Sequence, residues 1–122
     1  MQAMGAVFTA VPRKLTVTAF HDLAERGHLA EDDRVELIEG VMINMAPIGS
    51  RHASMVDTLA EMLAPHASGR FRLSIQNPLV LPEHSEPQPD LMLLKPRADR
   101  YADRLPGPSD ALVQRLRAII ST

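Results

Sequence analysis

The sequence predicts a mixed α/β domain, with a partly antiparallel sheet and flanking helices. Three observations carry that expectation. Apolar residues recur at helical spacing in Val17–Arg26 and again from about His52 to Ala64. Two short β-prone runs, Val35–Ile38 and Val41–Met45, are separated only by Glu39-Gly40, the spacing of a tight hairpin. Leu91–Leu94 is an uninterrupted apolar run of the kind that fills a buried strand.

The elements follow in chain order. Val17, Phe20, Leu23 and Ala24 share one helical face, Thr16 is placed to cap the start, and Gly27 is placed to end it. Asp32-Asp33 signals a turn into the hairpin. Within the hairpin, Val41, Ile43 and Met45 are expected to face the core, and Glu36 to point away from Val35 and Leu37. Pro47-Ile48-Gly49-Ser50 interrupts the sheet pattern, and Ser50 or Ser54 can cap the second helix. Its stripe is Val56, Leu59, Met62 and Leu63, and Pro65 stops it. Phe71–Ile75 alternates as a half-exposed strand, and Leu79–Leu81 reads as a short one. The prolines of the loop that follows cannot sit inside a sheet. The last segment, from Asp110 to Ile120, carries Leu112, Val113, Leu116, Ile119 and Ile120 at helical spacing behind a possible Ser109 cap. It is expected to be a helix.

Composition bounds the function. A chain of 122 residues suits one domain, and 45% hydrophobic residues supply a core that 3% aromatics leave to aliphatic side chains and methionine. No cysteine is present, so disulfides and thiolate metal sites are excluded. No apolar run approaches the ~18 residues of a membrane span, so no membrane partner is expected. Residues 1–14 do not have the charge-first order of a signal peptide and read as a flexible leader, which fits a cytoplasmic protein. The net charge of −2 is unevenly placed. Met1–Leu94 holds seven basic and twelve acidic residues, and Lys95–Thr122 holds six and three. The basic end can lie along a phosphate backbone or stand as a solvated tail, and the sequence leaves both open.

Two carboxylates stand out. Asp90 sits at the mouth of the Leu91–Leu94 strand after a proline-held loop, where it either caps a turn or brings charge to the core edge. Glu36 is either a solvated strand residue or its partner. Together they can hold a hard divalent cation, since Mg²⁺ prefers one or two carboxylates plus waters and phosphate. The five histidines show no metal-ligand spacing, the serines have no nucleophile-elbow context, and no glycine-rich phosphate loop occurs.

The run RVELIEGVMINMAPIGSRH, then a helix, then PQPDLMLL, resembles the Uma-two family of restriction-endonuclease-like proteins in the PD-(D/E)XK superfamily. The later YADRLPGPSDALV is similar to the segment leading into that family's next strand. The resemblance covers about Leu15 to Val113 and implies a restriction-endonuclease-like domain over 15–113, with 114–122 a divergent tail. It implies a DNA endonuclease using Mg²⁺ or Mn²⁺, with Glu36 and Asp90 as metal-binding, catalytic carboxylates. It also implies His52 as a catalytic neighbour, although His52 equally suits a water-facing helix start. A homodimer is compatible with this reading. The family's Glu-x-Lys is missing: no Glu follows Asp90, and Lys95 lies at odd spacing from it, on the opposite strand face. The expectation is therefore a C-terminally truncated domain that cleaves DNA poorly. The alternatives are a non-catalytic nucleic-acid-binding or interaction domain on the same scaffold, and a non-functional fragment.

Overall fold

A computed structural model describes residues 14–29 and 34–113. The leader before Lys14, the Asp32-Asp33 turn and the tail after Val113 lie outside the described residues. The elements are α1 (Val17–Glu25), β1 (Val35–Ile38), β2 (Val41–Asn44), α2 (Ser50–Leu63), β3 (Arg72–Ile75), β4 (Leu91–Leu94) and β5 (Ala111–Val113). Short 3₁₀ turns at Ala64–His66 and Pro108–Asp110 follow α2 and precede β5. The strands form two antiparallel sheets, β1-β2 and β3-β4-β5. This is a mixed α/β arrangement compatible with a restriction-endonuclease-like fold. Among the described residues, no helix is long and apolar enough to cross a membrane.

Local chemistry sets each element. Thr16 Oγ1 accepts the Ala19 N–H at 3.1 Å, capping α1 as the sequence predicts. Gly27, at φ +79°, ends the helix in a left-handed conformation suited to glycine. α1 lays Phe20 on Val35 and Leu37 of β1, with Leu15, Val17 and Leu29 packed around them. Glu39 and Gly40 both have positive φ, 47° and 83°, which gives the hairpin a turn matching the twist of its strands. The register pairs Ile38 with Val41 and Val35 with Asn44.

β4 is the centre of the second sheet and serves two cores. Leu91 packs with Val56, Leu59, Ala60 and Leu63 of α2, while Met92 and Leu94 pack with Leu79 on the other side. Its buried pattern is the one expected of a continuous apolar strand.

Five sequence expectations are corrected. Ala111–Val113 is a strand, not the start of a helix. It pairs antiparallel with β4 (Leu94 with Ala111, Leu93 with Val113), because the open edge of β4 satisfies its backbone groups. The remainder of the expected helix lies outside the described residues. β2 does not turn a face to the core: Val41, Met42 and Ile43 are all exposed, since no described element covers the hairpin's outer strand. Met62 is 64% exposed, and Ala60 takes its expected place beside Leu91. In β3 the alternation is inverted at its end, with Ser74 buried and Ile75 exposed. Leu79–Leu81 is not a strand; bracketed by Pro78 and Pro82, it bonds to loops, Leu79 N–H to Pro87 O and Leu81 to Ser85.

Candidate functional site

β1 and β4 belong to different sheets, so Glu36 and Asp90 are not on hydrogen-bonded neighbours. The segment Glu86–Gln88 joins them. Glu86 and Leu37 exchange both backbone hydrogen bonds (2.6 and 3.3 Å), which makes this segment a short antiparallel partner on the edge of β1 away from β2. Prolines stand on either side of Gln88, so its backbone N–H is the only one between Glu86 and Asp90. That N–H donates to Glu36 Oε1 at 2.8 Å, and the Gln88 side-chain Nε2 donates to Val35 O at 3.2 Å. Two residues on, the chain enters β4 at Asp90.

The result is a cleft of about 470 Å³ whose lining includes Glu36, Asp90, His52 and Arg34, with Ile43 and Met45 on the hairpin side. Glu36 is 5% and Asp90 6% exposed. His52, in the first turn of α2, places Nε2 at 3.1 Å from Asp90 Oδ2. Carboxylates leave water only at a cost, which partners or a bound ion must offset. Among the described residues, no group of three or more His, Asp and Glu is arranged to enclose a metal ion. What the cleft offers is two buried carboxylates and a histidine at one opening.

The family model Uma2, described as "Putative restriction endonuclease", matches residues 17–113. The chain belongs to the Uma2 family. No curated protein matches it.

For this Uma2 chain the structure brings Glu36, His52 and Asp90, the three residues singled out from the sequence, to one cleft. Three others escaped sequence reasoning. Gln88 gave a weak signal, as the sole N–H donor between two prolines. Arg34, two residues before Glu36, shares its strand face and lines the cleft. Glu86 was read as part of a polar loop, yet it is 4% exposed and its Oε1 lies 2.5 Å from His21 Nε2. Burial pushes the Glu86 carboxyl up, and His21 opposes the shift.

A second polar cluster closes the entry to β5. Tyr101 donates its hydroxyl to Lys95 O at 2.6 Å, and the Arg97 and Arg104 guanidinium groups lie 5.9 and 5.8 Å from its ring. Arg104 reaches Asp110 at 2.8 Å and, with the Gly107 N–H, pulls the Asp110 carboxyl down to about 2. Asp99 is likewise lowered, first by Arg97. These pairs fix the loop that returns the chain to β4, and Lys95 there is exposed and absent from the cleft lining.

Proposed function

We propose that this chain is a metal-dependent endonuclease domain acting on DNA phosphodiesters, with Glu36 and Asp90 as its metal-binding carboxylates. The observation that carries the reading is the burial of both groups at one cleft opening, in a chain of a restriction-endonuclease family. The donor set suits the ion. Mg²⁺ keeps several waters and needs only one or two protein carboxylates, so oxygen donors at an open cleft fit better than an enclosed cage. When bound, a divalent cation supplies polarisation of the phosphate and a more acidic water. The chain's own residues bind and orient: the Gln88 N–H donates to Glu36 Oε1, and His52 Nε2 stands 3.1 Å from Asp90 Oδ2, contacts that restrict how each carboxylate turns.

Within these 122 residues no Glu follows Asp90, and Lys95 is exposed and does not line the cleft. Loss of one preorganised charge-stabilising group commonly costs on the order of a hundred- to a thousandfold in rate. The isolated chain is therefore expected to nick DNA slowly at best. The test is plasmid incubated with Mg²⁺ or Mn²⁺ and the chain, beside Asp90→Ala. Slow nicking by the parent and none by the variant supports the reading; equal nicking by both refutes it.

A second reading, a non-catalytic DNA-binding domain on the same scaffold, rests on Lys95, the only lysine after Asp90, standing exposed outside the cleft lining. It predicts duplex binding that survives Asp90→Ala and no nicking with either metal.

A further inference from the structure

We propose that Arg34 is the phosphate-binding residue of the cleft, the group that takes up the anionic charge of a nucleic-acid backbone beside Glu36 and Asp90. The proposal rests on the metal-site reading above and adds a residue to it. Arg34 stands immediately before β1, and its carbonyl accepts the Met45 N–H at 2.7 Å, so the hairpin pairing extends one residue beyond Val35. That pairing holds Arg34 in strand geometry. A spacing of two then puts its side chain on the same face as Glu36, and both line the cleft with His52 and Asp90.

The second observation is the state of the guanidinium. Arg34 Nη2 is buried and has no hydrogen-bond partner among the described residues. A guanidinium stays charged in any protein environment, and a buried donor left unpaired is costly. Such a group is satisfied by an anion once a shift of the Arg34 side chain opens Nη2 to the cleft. Phosphate suits it best, because the planar fork can donate two parallel hydrogen bonds to two phosphate oxygens.

Charge decides when this can happen. Among the described residues the cleft lining sets the two carboxylates of Glu36 and Asp90 against the one guanidinium of Arg34, a balance that disfavours a phosphate. A divalent cation on the carboxylates reverses the balance and leaves Arg34 as the positive excess. Phosphate and cation should therefore bind cooperatively in this cleft. Lys95, the only lysine after Asp90, does not line the cleft, so among the described residues Arg34 is the guanidinium or ammonium group positioned to act there.

The experiment uses the whole chain and a short fluorescein-labelled DNA duplex. Anisotropy is measured across a salt series with and without Mn²⁺, for the parent, Arg34→Met and Arg34→Lys. Mn²⁺ affinity is measured separately by calorimetry. Arg34→Met is expected to weaken duplex binding in Mn²⁺ about tenfold or more and to make the log–log salt slope shallower by about 1. Arg34→Lys should keep the parental slope and recover part of the affinity. Mn²⁺ binding by Arg34→Met should be unchanged or tighter, because a neighbouring positive charge has gone. Parental affinity and slope in Arg34→Met overturn the assignment, as does a parent with no measurable duplex binding. Should Arg34→Met fail to fold by circular dichroism, Arg34→Lys decides: weaker duplex binding at parental slope supports the assignment, because the bidentate fork is lost and the charge kept, and fully parental affinity overturns it. Failure of the parent to bind Mn²⁺ counts against the metal-site reading, and it is read from a separate titration.

Discussion

The two sheets solve the same problem differently. In β3-β4-β5 the central strand is buried by its neighbours and by packing on both faces, with α2 on one side and the Leu79 loop on the other. In β1-β2 the inner strand is buried and the outer strand is exposed along its length. β1 owes its burial to α1 on one face and to the Glu86–Gln88 segment on its free edge, and little to its hairpin partner. The comparison shows that a site carboxylate can be held firmly on a small hairpin, provided the non-hairpin edge is the one that is stitched down.

The sharpest way to break this comparison is Leu37→Ala. Leu37 is fully buried, and loss of its side chain is expected to cost about 2–5 kcal/mol in urea unfolding. A cost under about 1 kcal/mol would mean that the α1 core is dispensable. Next in size is Gln88→Ala, which deletes the bond to Val35 O but leaves the backbone N–H on Glu36. The expected loss is about 1 kcal/mol, together with weaker Mn²⁺ binding; unchanged Mn²⁺ affinity would detach the stitch from the site.

A pH series sharpens the contrast, because the two regions respond to acid with opposite signs. The folded-state pKa of Glu86 is raised from its ordinary value of 4.5, first by burial. Its favourable contribution is complete below the unfolded value and is lost as pH rises through the folded one. Glu86→Gln should therefore gain stability relative to the parent from acid to neutral pH. Asp110 is lowered from 3.8 to about 2 by Arg104 and the Gly107 N–H, so its contribution is present above 3.8 and lost as pH falls towards about 2. Asp110→Asn should be less stable than the parent at neutral pH and converge with it in acid. Melting temperatures across pH check both, and parallel profiles for the two variants would refute the contrast. The smallest effect is expected at the exposed outer strand. Ile43→Ala, at a site 43% exposed, should change stability by no more than about 0.5 kcal/mol. A larger loss would reveal a partner covering β2.

Much of this was legible where a single local rule governs. The Thr16 cap, the Glu39-Gly40 turn and the apolar run of β4 each announce themselves within a few residues. The cleft residues Glu36, His52 and Asp90 came from motif order. What could not be read depends on neighbours distant in sequence. Leu112 and Val113 fit helical spacing, yet the open edge of β4 drew Ala111–Val113 into a strand. The alternation of Val41 and Ile43 signals a strand with an apolar face but does not say whether anything packs on it. The pairing of Glu86 with Leu37 crosses a loop whose prolines argue against any sheet, and only the unblocked N–H groups of Glu86 and Gln88 hint at it.

The hairpin turn carries one further consequence. A Cβ at Gly40 would stand 2.4 Å from the Lys14 Cβ, and Gly40 bonds to Leu15 N and to His84 O. A hairpin tip is usually where a chain tolerates insertions best; here it is the junction of three segments. With β1 held on its other edge, lengthening or shortening the tip by one residue would slip the pairing and send the β2 side chains Ile43 and Met45, which line the cleft, to the opposite face of the hairpin. For anyone attaching a tag or dye, Gly27 and Gly69, with nothing within 4 Å of an added Cβ, leave room, although their positive φ favours insertion beside them over replacement. For the history of the family, it means that drift in loop length at this tip would change which β2 side chains line the cleft and not merely decorate the surface.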